Sequence, residues 1–556
     1  MDRSARRFAL RLAQAGVLTL CLVPGISAQR LPSFSRADSL RGSDGPARSW
    51  WDVTYYDLDV HVQPSDSSLA GRNAITYRVV AGGDELQIDL QPPMSLDSLM
   101  LSGRSLPVRR DGNAWFARIP ETQPVGSVHR VTAFFHGKPV VAVRPPWDGG
   151  YQWETDASGE PWVATSNQGL GASVWWPNKD LQSEEPDSQR IVVTVPDPLV
   201  DVSNGRLRSS VHNGDGTTTF EWFVSNPVNN YSVSVNAGSY AHWTEELEGE
   251  RGTLTMDFWP LAQNLGRARE QWTQARTMMQ CFEHWFGPYP WYEDGYKLVE
   301  VPYLGMEHQS AVTYGNGYRN GYRGTDLSGT GWGLEWDFII VHESAHEWWG
   351  NNITARDIAD NWVHESFANY AENLYTECLT GTKEAGADYV IGTRSRITND
   401  RPIVGTYGVN DGGGGDKYYK GGNLLHTIRQ LVDDDEKWRG ILRGLNDTNR
   451  HQIVPGARVE EYITRHSGID LQKVIDQYLR DVRVPVLEYR LEAGTLSYRW
   501  TNVVYGFDMP VRVTVEPDRY GWIHPTEGWQ TLAVGLASAE EFRVDRNFYV
   551  EAREVR

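Results

Sequence analysis

Two histidines four residues apart constrain this chain of 556 residues more than any other feature. His342 and His346 flank Glu343 in a segment whose apolar residues recur with helical periodicity. Side chains at positions i and i+4 of a helix lie on one face, about 5–6 Å apart at Cβ, so both imidazoles can bind one metal ion. The sequence therefore predicts a helix that offers two nitrogen ligands.

A third ligand is expected on a second helix. A catalytic zinc site takes three protein ligands and leaves one position for water. Gly350 and the two asparagines after it predict the end of the first helix, and the second is predicted to begin near Asp360, which we expect to cap it. On that helix Glu365 follows His346 after 18 intervening residues. We therefore predict Glu365 as the third ligand of one zinc ion.

The periodicity of the apolar residues changes twice along the chain. Residues 45–250 alternate between apolar and polar positions, and residues 251–485 are mainly helical in pattern. Alternation returns in residues 486–556. The pattern predicts a multidomain α+β protein with an N-terminal β domain, a mainly α domain and a small C-terminal β domain. Strands are predicted at 51–60, 74–80, 192–195, 231–235, 496–501, 511–515 and 548–550, and helices at 261–286, 336–349, 362–374, 423–432 and 474–479.

Two glycine-dense stretches interrupt the helical block. Residues 315–333 and 405–422 contain too few apolar residues to form core, so we predict loops that border a site. The first lacks the third glycine of a dinucleotide motif, and no P-loop lysine follows it. Nucleotide binding is therefore not expected.

The first 28 residues have the layout of an export signal. Four arginines precede an apolar stretch at 15–23, and the small residues Ser27 and Ala28 follow. We predict a signal peptide of residues 1–28 and export to a periplasm or to the medium. No later apolar run reaches 18 residues, so no membrane span is expected in the mature protein.

The charge balance excludes one class of partner. The chain has 72 acidic and 53 basic side chains, for a net charge of −19, and no run of lysine or arginine. Such a chain repels a phosphate backbone at long range, so nucleic acid is not an expected partner. The oligomeric state is not indicated by the sequence.

Cysteine is scarce. After the predicted cleavage only Cys281 and Cys378 remain, both in helical segments, too few for a disulfide framework. Two buried free thiols are predicted, with a single bridge as the alternative.

Tryptophan is abundant, with 23 residues against 15 phenylalanines. Seven of them fall in or beside the predicted site, and we expect most of these to pack helices rather than to line a cleft. These are Trp175, Trp176, Trp332, Trp336, Trp348, Trp349 and Trp362.

Four motifs carry a resemblance to a known family. They are His342-Glu-Ser-Ala-His346-Glu-Trp-Trp-Gly-Asn351, Trp362-Val-His-Glu365, Gly305-Met306-Glu307-His308 and Tyr418-Tyr-Lys420-Gly421-Gly. With them the chain resembles the gluzincin aminopeptidases, the family of alanyl aminopeptidase and leukotriene hydrolase. The third motif is similar to the family's GAMEN sequence and the fourth to its YxKGA sequence. The resemblance implies a saddle-like β domain, a thermolysin-like catalytic domain and a small β-sandwich domain.

The resemblance also implies roles for single residues. His342, His346 and Glu365 would bind zinc, and Glu343 would be the general base. Tyr418 would stabilise the oxyanion.

Further residues would bind the substrate. Glu307 would bind the α-ammonium group, and the backbone of Gly305 and Met306 would pair with the peptide. The segment from Ser166 to Asp180 resembles the one that lends a glutamine to the amine pocket, and Gln168 fits that role.

Four positions depart from the family pattern. Leu304, Gly305 and His308 replace the motif's Gly, Ala and Asn, and Leu170 stands where a second acid is often found.

The sequence thus predicts an exported zinc aminopeptidase that acts on peptides with a free N-terminus. An endopeptidase or an epoxide hydrolase at the same site is the nearest alternative, because the departures weaken the amine pocket. A non-catalytic binding protein with structural zinc is a third reading, which the presence of Glu343 and Tyr418 disfavours.

Overall fold

The computed structural model describes residues 33–555. The predicted signal peptide of residues 1–28 lies outside the described residues. Within the described part, no helix has the length and apolar character needed to cross a bilayer.

Residues 36–238 are rich in β-structure, as predicted. An eight-stranded sheet has the order β13-β14-β11-β1-β2-β8-β4-β5, beside a four-stranded sheet β12-β15-β10-β9 and a three-stranded sheet β3-β7-β6. The elements are α1 (Arg36–Gly42), β1 (Trp51–Gln63), β2 (Ser68–Val79), β3 (Glu85–Asp89), β4 (Ser95–Leu101), β5 (Arg104–Leu106), β6 (Val108–Asp111), β7 (Ala114–Arg118), β8 (Val128–Gly137), β9 (Gly150–Thr155), β10 (Pro161–Ser166), β11 (Ser188–Pro196), β12 (Val200–Val202), β13 (Arg206–His212), β14 (Thr217–Val224) and β15 (Asn236–Gly238).

Residues 243–480 contain the helices. One sheet has the order β16-β17-β18-β20-β19, so the two-residue strand β19 lies at its edge. The elements are β16 (Trp243–Gly249), β17 (Gly252–Trp259), α2 (Leu265–Gln271), α3 (Gln274–Phe286), β18 (Tyr296–Glu300), β19 (Gly305–Met306), β20 (Val312–Tyr314), α4 (Phe338–Ala345), β21 (Ile353–Ala355), α5 (Trp362–Thr380), α6 (Lys383–Gly392), α7 (Tyr419–Val432), α8 (Asp435–Thr448), β22 (Gln452–Val454), α9 (Gly456–Ser467) and α10 (Gln472–Ile475), followed by a π-helical turn Asp476–Arg480.

The C-terminal part returns to β-structure. A sheet β27-β24-β23-β28 and a hairpin β25-β26 form it. Leu487 and Trp500 belong to the same buried apolar cluster as Tyr478 and Leu479 of the helical part. The strands are β23 (Val486–Glu492), β24 (Thr495–Thr501), β25 (Val511–Glu516), β26 (Arg519–Ile523), β27 (Gln530–Ala533) and β28 (Glu551–Glu554).

The predicted order of a β-rich, a mainly helical and a β-structured region is confirmed. The domain boundaries stay predictions, and the one between residues 250 and 251 falls in the turn of the β16–β17 hairpin.

Several predicted elements are wrong. Residues 231–235 are not a strand: the Asn229 side chain accepts a hydrogen bond from the Tyr231 amide and begins a 3-10 turn, Asn230–Ser232. The last strand begins at Glu551 rather than at 548, and residues 261–286 form two helices instead of one. The second glycine-dense stretch is a loop only in part, because α7 begins at Tyr419. In each case a local turn decides the boundary, which apolar periodicity does not report.

The prediction of two buried free thiols is also wrong. Cys281 of α3 and Cys378 of α5 form a disulfide. Cys378 lies on an exposed turn of its helix, so only one of the two positions is buried. The bridge ties α3 to the helix that carries Glu365.

Candidate active site

The helix with the two histidines is fixed against the sheet at its first turn. The Asp337 carboxylate caps α4 by accepting the amide N–H of Ile339 at 3.1 Å. The same carboxylate accepts the Tyr314 hydroxyl of β20 at 2.7 Å. The helix ends at Ala345, earlier than predicted, and His346 occupies its C-terminal cap. Both imidazoles therefore stand on a short, anchored helix.

The three predicted metal ligands lie together. Nε2 of His342 is 3.7 Å from Oε2 of Glu365, and Nε2 of His346 is 3.5 Å from the same oxygen. All three side chains are buried. Tetrahedral ligands about 2.1 Å from one zinc ion are separated by about 3.4 Å, so this donor set fits zinc.

Each histidine presents Nε2 because Nδ1 is engaged elsewhere. Nδ1 of His346 lies 2.9 Å from the carbonyl oxygen of Trp349, and Nδ1 of His342 lies 2.8 Å from Oε1 of Glu372. Both partners accept, so both Nδ1 atoms carry the hydrogen and Nε2 is left as a ligand atom. Although burial opposes it, the proximity of the two histidines holds the pKa of the Glu365 carboxyl well below its ordinary value.

The second helix presents three polar side chains on one face. Glu365, Asn369 and Glu372 are spaced by four and then three residues of α5, so they share that face. Asn369 and Tyr389 donate hydrogen bonds to Glu372 at 3.1 and 2.6 Å. Sequence reasoning missed Glu372, although its position two turns after Glu365 is the signal that would have found it.

Asp360 does not cap this helix, contrary to the prediction. Asn361 is the N-cap and makes no side-chain capping bond. The Asp360 carboxylate instead accepts the Gly456 amide at 2.8 Å and the Tyr407 hydroxyl at 2.7 Å. These long-range partners hold the loop that precedes α5.

Glu343 lines the same cleft as the three candidate metal ligands, where it lies close to Glu307 and His346. One ligand-type atom each of Glu343, Glu307 and His346 lies within 4.8 Å of the others. Burial raises the pKa of the Glu343 carboxyl above its ordinary value, which brings it toward the range of a general base.

Tyr418 stands at the start of α7, beside the histidine helix. Its ring centroid is 6.1 Å from that of His342. The Ser366 hydroxyl of α5 donates to the carbonyl oxygen of Lys417 at 2.6 Å, which fixes the backbone next to Tyr418. Burial and the neighbouring Glu365 carboxylate raise the pKa of Tyr418 well above its ordinary value, so it stays a hydrogen-bond donor.

The glycines after Lys420 have a packing role. A Cβ at Gly421 would lie 1.9 Å from the Ser366 hydroxyl oxygen, and one at Gly422 would lie 2.3 Å from Oδ1 of Asn369. Only glycine therefore lets α7 approach α5 closely enough to place Tyr418. Lys420 points away from the cleft and donates to the carbonyl oxygen of Asp481 at 2.8 Å.

Glu307 and Gln168 meet at the other side of the cleft, 139 residues apart in the chain. Nε2 of Gln168 donates to Oε1 of Glu307 at 2.6 Å. Sequence reasoning missed Tyr231, whose hydroxyl donates to the same oxygen at 3.3 Å, because the segment was predicted as a strand. Burial raises the pKa of the Glu307 carboxyl.

Asn351 holds the Glu307 backbone in place. Its side-chain amide donates to the Glu307 carbonyl oxygen at 3.0 Å. Gly305, two residues earlier, lies against α4, where an added Cβ would be 2.6 Å from the Ile339 side chain and 3.2 Å from Cγ of Glu343. Glycine thus allows the edge strand β19 to run next to the general-base candidate.

The other departures from the motif have different surroundings. Leu304 lines the cleft. His308 is fully buried, and burial lowers its pKa to about 3, so it is a neutral core side chain. Leu170 does not line the cleft.

The residues of both sides enclose one cleft of about 360 Å³. Its walls include Trp147, which is 55% exposed and which sequence reasoning missed. Of the seven tryptophans predicted near the site, none lines the cleft, and all but Trp332 are at most 2% exposed. The expectation that most of them pack in the core is confirmed.

The comparisons with known proteins agree with this geometry. Residues 271–478 match the model of the peptidase family M1 domain. This matched region makes up less than half of the chain. The match covers both metal-ligand helices and Tyr418, whereas Gln168 and Tyr231 lie outside it.

The curated relatives of this chain are distant in sequence. The chain is 24% identical to the Tricorn protease-interacting factor F2 of Thermoplasma acidophilum over 226 residues, which are 38% of this chain and 28% of that protein. It is 23% identical to the leukotriene A-4 hydrolase of Xenopus laevis, over 71% of this chain and 64% of that one. The chain thus spans 28% and 64% of the length of these two curated relatives.

The fold matches a solved M1 structure. A mutant M1 zinc metallopeptidase from Deinococcus radiodurans, bound to a Tyr-Ser-Ala substrate, superposes with a TM-score of 0.65 and 20% identity. The match covers 78% of this chain and 95% of that one. At this identity the likeness shows a shared fold.

Proposed function

We propose that this protein is an aminopeptidase that binds one zinc ion and removes residues from the free N-termini of peptides. One observation carries the proposal: the buried Glu307 carboxylate, with its donors Gln168 and Tyr231, lies in the same cleft as the His342, His346 and Glu365 triad. A buried carboxylate beside a peptidase site is suited to an α-ammonium group. The tripeptide bound to the Deinococcus metallopeptidase supports a peptide as the substrate class.

Glu343 is the proposed general base. When bound, zinc supplies Lewis-acid polarisation of the scissile carbonyl and lowers the pKa of water toward about 7. Glu343 then takes a proton from the attacking water and passes it to the leaving amine. Its carboxylate is free to do so, because the metal is assigned to the two histidines and Glu365.

Tyr418 is the proposed oxyanion donor. Its phenol stays protonated in this environment and stands beside the His342 ring. A donor fixed by the Ser366–Lys417 hydrogen bond before the substrate arrives needs no reorganisation as negative charge develops on the carbonyl oxygen.

The edge strand β19 is proposed to hold the substrate backbone. Gly305 and Met306 pair with β20 on one side only. The other side of a strand at a sheet edge leaves backbone groups that an extended peptide can bind, and these contacts tolerate many side chains.

The test compares leucyl-methylcoumarylamide with its N-acetyl derivative on the zinc-loaded protein. The free amine should be cleaved at least about 100-fold faster, because acetylation removes the charge that Glu307 binds. Equal cleavage of both would indicate an endopeptidase. Turnover of an epoxide with neither amide cleaved would indicate the hydrolase, and zinc binding without any turnover would indicate a binding protein.

Export is a further part of the proposal. It is supported by the arginines and the apolar stretch within residues 1–28. Expression of the full chain in a bacterial host should give a periplasmic or secreted protein whose N-terminal residue is Gln29. A cytoplasmic protein that retains residues 1–28 would contradict it.

A further inference from the structure

The cleft has a second charged end. Arg396, at the end of the 3-10 turn Thr393–Arg396, lines the same cavity as Glu307 and Tyr418. Among the described residues that line the cavity it is the one lysine or arginine. The carboxylates in this wall are Glu307, Glu343, Glu365 and Glu372.

The Arg396 guanidinium has capacity for a further partner. Its Nε donates to the carbonyl oxygen of Leu327 at 2.7 Å, which holds the end of the side chain against the loop. Within residues 33–555, no carboxylate lies within ion-pair distance of it, and the side chain is exposed. Glu372, a carboxylate in the same wall, is already engaged by His342, Asn369 and Tyr389. Both terminal nitrogens of Arg396 are thus available in a fork geometry that matches a carboxylate.

Arg396 and Glu307 have different neighbours in the wall of the cleft. Glu307 groups with His346 and Glu343. A second part of the wall starts from His342, whose ring stacks on Phe338 at 5.1 Å, and Phe338 packs edge to face against Tyr322 at 5.3 Å.

Arg396 belongs to this second part of the wall. Burial raises the pKa of Tyr419 to about 12, and the charge of Arg396 opposes that rise while Tyr322 adds to it. Arg396, Tyr322 and Tyr419 also line the same cavity.

The charges at the two ends of a short peptide match the charges of Glu307 and Arg396 in the cleft. In the proposed binding mode the α-ammonium group is at Glu307 and the scissile bond is over the metal ligands, which leaves Arg396 to contact the residues that follow. The first peptide residues beyond the scissile bond carry a negative charge when the chain ends there or when a side chain is acidic.

We propose that Arg396 binds a carboxylate of the substrate on the C-terminal side of the scissile bond, and so directs the enzyme toward short peptides with a free C-terminus or toward acidic residues after the scissile bond. This inference rests on the proposed aminopeptidase function. It names the substrate class of the same cleft.

The test uses pairs of peptides that differ only in one negative charge. Leu-Ala and Leu-Ala-Ala are compared with their C-terminal amides, and Leu-Asp amide is compared with Leu-Asn amide. Leucyl-methylcoumarylamide, which has no carboxylate, reports the chemistry alone. Each is measured with the wild type, Arg396→Gln, Arg396→Lys and the control Arg458→Gln, an exposed arginine of α9 that does not line the cleft.

The wild type should cleave the charged member of at least one pair about 10-fold more efficiently in kcat/KM, as expected for a charge-assisted hydrogen bond. Arg396→Gln should bring that ratio close to one, whereas leucyl-methylcoumarylamide should change less than about twofold. Arg396→Lys should keep part of the ratio, because the point charge remains. Loss of the ratio in the free-acid pairs identifies the peptide C-terminus, and loss in the Asp–Asn pair identifies a side chain.

Ratios near one in the wild type, or ratios unchanged in Arg396→Gln, overturn the proposal. An equal loss with all substrates, including the coumarylamide, also overturns it, since that indicates a structural role. The affinities of the same peptide pairs for zinc-loaded Glu343→Gln, measured by calorimetry, compare charged with uncharged peptides in the absence of turnover. If the coumarylamide is hydrolysed but the charged and uncharged peptides are cleaved equally, only the proposed Arg396 site is rejected. If the charged peptides bind more tightly but no substrate is hydrolysed, only the proposed aminopeptidase function is rejected.

Discussion

The metal end and the amine end of the cleft are built in different ways. The proposed metal ligands come from two consecutive helices, α4 and α5, within 24 residues from His342 to Glu365. The amine end joins Glu307 to Gln168 and Tyr231, which lie 139 and 76 residues away in the chain. One end depends on helix geometry, and the other depends on the packing of the N-terminal β-rich part against the edge strand β19.

The difference extends to the groups that support each end. Nδ1 of His346 bonds to a backbone carbonyl only three residues later in the chain. By contrast, within residues 33–555 both side-chain donors to the Glu307 carboxylate, Gln168 and Tyr231, come from the N-terminal part. Damage to the metal end should therefore stop all chemistry, and damage to the amine end should alter which substrates are used.

The largest effect is expected at Glu343, where the two ends meet. Glu343→Gln keeps the size of the side chain and removes the base, so kcat should fall by at least about 1,000-fold on every substrate. Zinc content, measured by mass spectrometry of the purified protein, should stay near that of the wild type. Residual activity above a tenth of the wild type, with zinc bound, would contradict the role of Glu343.

Glu307→Gln should have the next largest effect. Loss of the charge that faces the α-ammonium group should lower kcat/KM for the free-amine coumarylamide by about 100-fold. The N-acetyl substrate, which has no ammonium group, serves as the internal control and should be nearly unaffected. Exposed Glu293→Gln is the matched control variant. A parallel loss on both substrates would show that Glu307 serves the metal end rather than amine recognition.

The two ends of the cleft also differ in how far the sequence alone predicts their residues. The spacing of His342, His346 and Glu365 is a property of two helices, so periodicity and spacing suffice to predict that set. Arg396 reaches the cleft, and Tyr231 reaches Glu307, through tertiary packing, and no local pattern marks either residue. The disulfide was missed for the same reason, because Cys281 and Cys378 meet only when α3 packs on α5.

Substitution of Glu372 tests how strongly zinc binding depends on the carboxylate that holds Nδ1 of His342. Glu372→Gln should weaken zinc binding by about 10- to 100-fold, as for other partners of metal-binding histidines, because it no longer fixes Nδ1 of His342 as strongly. Zinc affinity is measured by competition with a chelator, and excess zinc should restore most of the activity. Tyr389→Phe, which removes one donor to Glu372, should give a smaller loss in the same direction. Unchanged affinity in both variants would mean that the helices alone hold the metal end.

The smallest expected effect lies at Tyr231. Its hydroxyl donates to Glu307 at 3.3 Å, a longer bond than the 2.6 Å bond from Gln168, so Tyr231→Phe should raise KM for free-amine substrates only about three- to tenfold. The ring stays in the buried cluster with Met306 and Tyr303, so the melting temperature should change little. Gln168→Leu should raise KM more than Tyr231→Phe does. If Tyr231→Phe lowers kcat and leaves KM unchanged, the hydroxyl acts on the transition state, and the amine end and the metal end are then not separable.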